Sequence, residues 1–221
     1  MPFPYFILLE IICFIISIFS IANKKSGWWK YFVWFLAFTI LVEVAGYGIV
    51  KLSFQKESNH WLYNLSLPVE FLFISWALYK ICIPTFNCKP VIISGLAIFV
   101  IIYIIESISS GFLEYSFRAN SFASAWITII CCLYFYYLLK QDDYIVISAH
   151  APFWIITGCF FFYFGTTSCN FFYDYLKVIN TNQNIPVRYI IFNVLNFILY
   201  SCWSYAFICK YRQTISSSSS S

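Results

Sequence analysis

Seven long apolar runs, separated by short polar loops, decide what this chain can fold into. They cover about residues 5–21, 31–50, 60–80, 90–108, 121–139, 152–172 and 187–210. A helix needs roughly 20 residues to cross the ~30 Å hydrocarbon core of a bilayer. Six of the seven prolines (2, 4, 84, 90, 152 and 186) fall at or outside the ends of these runs, where helices tolerate them. Charged residues make up 10% of the chain and hydrophobic ones 62%, against about a quarter and a half in soluble domains. The expected fold is all-α, a polytopic transmembrane bundle of seven helices forming one domain over residues 1–212. No internal repeat is seen. Residues 213–221 end in a serine homopolymer with nothing to pack and are expected to form a disordered tail. The first run is read as a span rather than a cleaved leader. No basic residue precedes Lys24, and Glu10 interrupts the apolar stretch.

The third run, HWLYNLSLPVEFLFISWALYK, carries Pro68 and Glu70 near its middle. A carboxylate at mid-membrane costs roughly 2.5–3.5 kcal/mol on insertion scales unless it is protonated or partnered. Proline removes a helix hydrogen bond. At 100° per residue Tyr63, Ser66, Glu70 and Ala77 share one face, while Asn64, Pro68 and Ser75 lie on another. This helix is therefore expected to meet protein on more than one side. Thr39, Glu43, Gly46 and Tyr47 make a polar-and-small stripe on the second run, and Tyr189, Asn193, Asn196 and Tyr200 make one on the seventh. Gly158 and Gly165 share a face of the sixth run, where small residues let membrane helices approach closely.

Basic residues set the orientation. The loops on one side hold Lys24, Lys25, Lys30, Lys80, Lys89, Lys140, Lys210 and Arg212, and those on the other hold Lys51, Lys56, Arg118, Lys177 and Arg188. The positive-inside rule then places the N-terminus outside and the C-terminus in the cytoplasm, in a multi-pass protein of the cell membrane. With 1.5 Å of rise per residue, Glu10, Glu43, Glu70, Asn193 and Asn196 fall roughly 8–15 Å below the outer surface. The intramembrane acids and amides thus gather in the outer half. An ionisable residue inside a membrane is by default a functional-site candidate. The candidate ligand-binding residues are Glu10, Glu43, Tyr63, Asn64, Glu70, Asn193 and Asn196.

Several chemistries are set aside. The net charge of +4 comes from lysines in short loops and is a topology signal, so no nucleic-acid partner is expected. The nine cysteines include no C-x-x-C and mostly sit in apolar runs, as small buried residues do. His60 and His150 fall on opposite membrane sides, so no histidine pair holds zinc. No H-E-x-x-H, G-x-S-x-G or Walker-type loop occurs. No lysine lies inside the seventh run for a retinal Schiff base. No catalytic residue, metal or cofactor is expected.

Trp29-Lys30-Tyr31, Glu43, Tyr63-Asn64, Pro68-Val69-Glu70-Phe71 and Phe153-Trp154 leading to Gly158, Phe162-Tyr163 and Gly165 give the chain a likeness. It resembles a family of short seven-helix membrane proteins common in Bacteroidetes genomes. The resemblance implies the topology and no reaction. Pro68-Val69-Glu70 also resembles the P-x-E motif of membrane carotenoid cyclases. Phe71 stands where those enzymes carry a second acid, and no second P-x-E occurs. The expected function is a non-enzymatic receptor-like or sensory module with an outward-facing polar pocket. The alternative is a small membrane enzyme or proton-coupled carrier acting on an apolar or amphiphilic substrate through buried glutamates. The expected partners are the lipid bilayer, a small-molecule or lipid ligand and, for signalling, a cytoplasmic protein.

Overall fold

A computed structural model describes residues 5–21, 27–52, 59–110, 112–141, 146–183 and 186–218. Eight α-helices follow in order: α1 (Tyr5–Ile21), α2 (Lys30–Leu52), α3 (His60–Cys82), α4 (Lys89–Ser110), α5 (Phe117–Leu139), α6 (Ala151–Phe171), α7 (Tyr173–Gln183) and α8 (Val187–Ser218). Short 3₁₀ turns, Gly27–Trp29 and Ile147–Ala149, lead into α2 and α6. No strand occurs among the described residues. The chain is an all-α bundle of membrane-spanning character. Five helices, α2, α3, α4, α5 and α8, are each long and apolar enough to cross a bilayer. A sixth span results if α6 and α7, bent by 72° at their junction, count as one. At 17 residues α1 is apolar but shorter.

Two segments differ from the sequence reading. Residues 173–183, expected as loop, form α7. An 11-residue helix is marginal alone. This one has Asp174 in its first turn, where a negative charge complements the helix dipole, and it packs on α8. The tail expected to be disordered from residue 213 is helical as far as Ser218. Gln213 Nε2 donates to Ala149 O at 2.9 Å, and Thr214 Oγ1 donates to Lys210 O at 3.0 Å, so α8 is tied down past Lys210. Residues 219–221 lie outside the described residues.

Packing closes six of the helices into a ring. α1 lies against α2 and α8, α8 against α6, α6 against α5, α5 against α3, and α3 returns to α2. α4 sits outside the ring, on α3 and α5. The small residues sit where these contacts need them. A Cβ at Gly158 would come within 3.2 Å of the Leu199 carbonyl oxygen of α8, and one at Gly165 within 2.6 Å of Leu195 Cδ1. Both glycines thus face α8, as their spacing predicts. Gly95 of α4 lies beneath the Trp126 indole of α5.

α3 is half buried along its apolar window, more than α2, α4, α5 or α8, and it does meet protein on more than one side, at α2, α4 and α5. Pro68 has no N–H, so the carbonyl four residues earlier, Asn64 O, loses its helical donor. Tyr103 of α4 supplies one: its hydroxyl donates to Asn64 O at 2.9 Å. Neighbouring helices commonly satisfy a proline-freed carbonyl in this way. Beside it, Glu106 accepts the backbone N–H groups of Arg118 and Ala119, both at 2.8 Å. These are first-turn donors of α5, whose own Ser116 side chain makes no cap.

Candidate functional site

The ring encloses a cavity of about 340 Å³, lined from all six of its helices and from Tyr115 of the α4–α5 loop. α4 contributes nothing to it. Glu10 comes from α1, Thr39 and Glu43 from α2, Tyr63 and Glu70 from α3, Asn120 and Ser124 from α5, Tyr163 from α6, and Asn196, Tyr200 and Trp203 from α8. Three carboxyls therefore share one chamber, and among the described residues no Lys, Arg or His lines it.

The three acids differ in their surroundings. Glu43 Oε2 accepts the Tyr63 hydroxyl at 3.1 Å. Glu70 has the Ser66 hydroxyl beside it, one turn back on α3. Glu10 is fully buried, and neither of its oxygens has a hydrogen-bond partner within bonding geometry. The hydroxyls of Thr39 and Tyr200 are its polar neighbours. A carboxylate buried without a cation is costly, so such a chamber is neutralised by protons or by a positive guest.

One end of the chamber is closed by rings. Phe35 and Trp203 line it and belong to an aromatic layer beneath. Phe32, fully buried, has Phe73 and Trp203 edge-on at 5.3 Å and Phe207 at 5.8 Å. Phe35 stacks on Phe73 at 4.1 Å, and Trp29 meets Phe207 at 6.4 Å. The other end continues into a vestibule lined by His60, Tyr63, Tyr115, Phe117, Tyr173, Arg188 and Phe192. It shares Tyr63, Tyr115 and Phe192 with the chamber. Arg188 lies over the rings of Tyr173 and Phe192, at 5.2 and 5.5 Å. Burial pushes the Tyr115 hydroxyl up to about 12, against the pull of Arg188, so it stays a neutral donor at the mouth. A side recess with Lys51 and Asn59 adjoins Glu43.

Of the seven candidates from sequence, Glu10, Glu43, Tyr63, Glu70 and Asn196 line the chamber. Asn64 and Asn193 do not. The Asn64 side chain turns to the α4–α5 loop, where its amide donates to the carbonyls of Phe112 and Glu114 and accepts Ser116 N–H at 2.9 Å. Asn193 lies at the edge of the chamber face of α8, and its amide donates to its own helix at Tyr189 O, 2.8 Å away. Asn196 makes the same bond to Phe192 O at 2.9 Å. Neither amide nitrogen is spent on Glu70. Sequence reasoning missed Tyr115, Asn120, Tyr163 and Arg188. In a chain that is 24% aromatic, one more tyrosine carries no local signal.

Among the described residues no group of three His, Cys, Asp or Glu side chains gathers around a point. Compared with protein-family profiles, with curated proteins and with solved structures, the chain matches nothing.

Proposed function

We propose that the chain is a seven-span, non-enzymatic receptor-like or sensory protein of the cell membrane that holds a small molecule in an outward-facing cup. Its N-terminus is outside and its C-terminus cytoplasmic, and it groups with the short seven-helix family its motifs resemble. One observation carries the reading: an acid-lined chamber that joins a polar vestibule at one end and ends on packed rings at the other. With the N-terminus outside, the vestibule is the outer mouth. Concave sites of about 300–1,000 Å³ with apolar walls and few polar groups are the usual form of small-molecule sites. A ligand there is positioned to report to a cytoplasmic partner through α8.

The test is access. Asn120→Cys, a smaller side chain at a partly exposed position on the chamber wall, is placed in a background without other reactive thiols and treated with a small water-soluble thiol reagent. Modification from the outer face of intact cells is expected. Modification only from the cytoplasmic face, or none, would overturn the reading.

The alternative, a proton-coupled carrier or small enzyme, draws support from the gathering of Glu10, Glu43 and Glu70 on one chamber. A carrier exposes its site to both sides in turn. Comparable modification of Asn120→Cys from both faces selects it over the cup.

A further inference from the structure

The chamber is built for one class of guest. Resting on the binding reading above, we propose that its ligand is an organic ammonium ion with an apolar body, anchored at Glu10.

Charge points first to a cation. Three carboxyls line the chamber, and no basic residue does so among the described residues. An anionic guest would meet repulsion from each, and a neutral guest would leave any ionised carboxylate without a counter-charge. Hydrogen bonding singles out the anchor. Glu43 is engaged by Tyr63, and the Ser66 hydroxyl beside Glu70 donates to Tyr63 O; Glu10 is 0% exposed, and the Thr39 and Tyr200 hydroxyls beside it leave both of its oxygens outside bonding geometry among the described residues. A buried polar group left open in this way costs free energy that a guest's N–H donors or positive charge recovers.

Geometry separates an organic cation from a bare one. Hard metal ions demand about six or more oxygens converging at 2.0–2.6 Å. The three acids project from α1, α2 and α3 and form no such cluster. They surround a volume of about 340 Å³, enough for a small organic molecule. Aromatic side chains form a good part of its walls, Phe35, Tyr63, Tyr163, Tyr200 and Trp203 among them. Aromatic faces attract ammonium groups through their quadrupoles, most strongly when water is excluded. Carboxylate, ring walls and room for an apolar tail together describe an amine rather than a metal or an acid.

The experiment uses the purified full chain in detergent. Benzyltrimethylammonium is compared with neopentylbenzene, which has the same shape without the charge, and with 3-phenylpropionate. Dissociation constants are read from tryptophan fluorescence, to which Trp203 on the chamber wall contributes, and checked by the shift in thermal midpoint. The cation is expected to bind at least tenfold more tightly than the neutral isostere, and the anion not at all. Glu10→Gln, which keeps the shape and removes the charge, is expected to weaken the cation at least tenfold and leave the neutral probe unchanged. Equal binding of cation and neutral isostere overturns the inference and leaves the cup intact. So does unchanged cation binding in Glu10→Gln. Failure of every probe to bind while Asn120→Cys is modified from outside also overturns the inference alone. If Glu10→Gln does not fold, the probe comparison on the parent decides by itself.

Discussion

Replacing Tyr103 with phenylalanine removes one oxygen, and the structure says what that oxygen does. It donates to Asn64 O, the carbonyl that Pro68 leaves without its helical N–H. The change therefore deletes a hydrogen bond worth about 1 kcal/mol net and strands a partly buried acceptor at about 1–3 kcal/mol. An overall cost of about 2 kcal/mol is expected. The link to Pro68 makes the prediction sharp. In a Pro68→Ala background the residue-68 N–H can bond Asn64 O within α3, and Tyr103→Phe should then cost about 0.5 kcal/mol or less. The coupling between the two sites should be about 1.5 kcal/mol by a double-mutant cycle. Unfolding of the detergent-solubilised protein by SDS, followed by circular dichroism, provides the four free energies. Additive costs within about 0.5 kcal/mol would mean that the proline-freed carbonyl finds another donor, and the account of α3 would fail.

Asn64→Ala should cost about 3 kcal/mol in the same assay, because it removes three bonds to the α4–α5 loop and leaves the buried Ser116 N–H alone. An effect under about 0.5 kcal/mol would show that the loop is not held there. Gly95→Ala should lower stability by about 1–3 kcal/mol, since its Cβ runs into the Trp126 indole. Gly48→Ala, with nothing within 4 Å of the new Cβ, is the matched control and should be neutral or stabilising. His150 lies between α5 and α6, 3.2 Å from the Tyr134 hydroxyl, and burial holds its pKa below the usual value. The unfolded chain then binds the proton more readily, so the histidine's contribution is intact above about pH 6.5 and lost as pH falls through the lower folded value. Relative to His150→Gln, the parent should lose stability between about pH 7 and pH 5, and an increase over that range would reverse the sign.

The ring and its acids were legible to different degrees. Apolar runs of membrane length reveal helices because lipid leaves a chain few other options. The stripe through Thr39 and Glu43 pointed into the bundle for the same reason. Helical phase fails where a side chain has a choice. Asn64 and Glu70 are both polar on α3, yet Asn64 serves a loop about 50 residues away, a partner that periodicity cannot name. Hydroxyls and amides also satisfy themselves on their own helices, as Ser124, Thr166 and Asn193 do, so a polar stripe need not be a contact stripe. α7 escaped notice because its 11 residues are short and not apolar overall, so it lacks the long apolar run by which the spans are read, and it depends on packing against α8.

The ring-packed layer under the chamber has an electrical consequence. A watery, acid-bearing cup in a membrane is a place where ions could begin to leak. Phe32, Phe35, Phe73, Trp203 and Phe207 form a dry dielectric beneath it. If the cup is at the potential of the outer bath, most of the transmembrane voltage falls across that layer. A unit charge crossing the full field gains or loses about 2.3 kcal/mol per 100 mV. A cation halted above Phe35 crosses little of it, so its affinity should hardly change as the cell polarises.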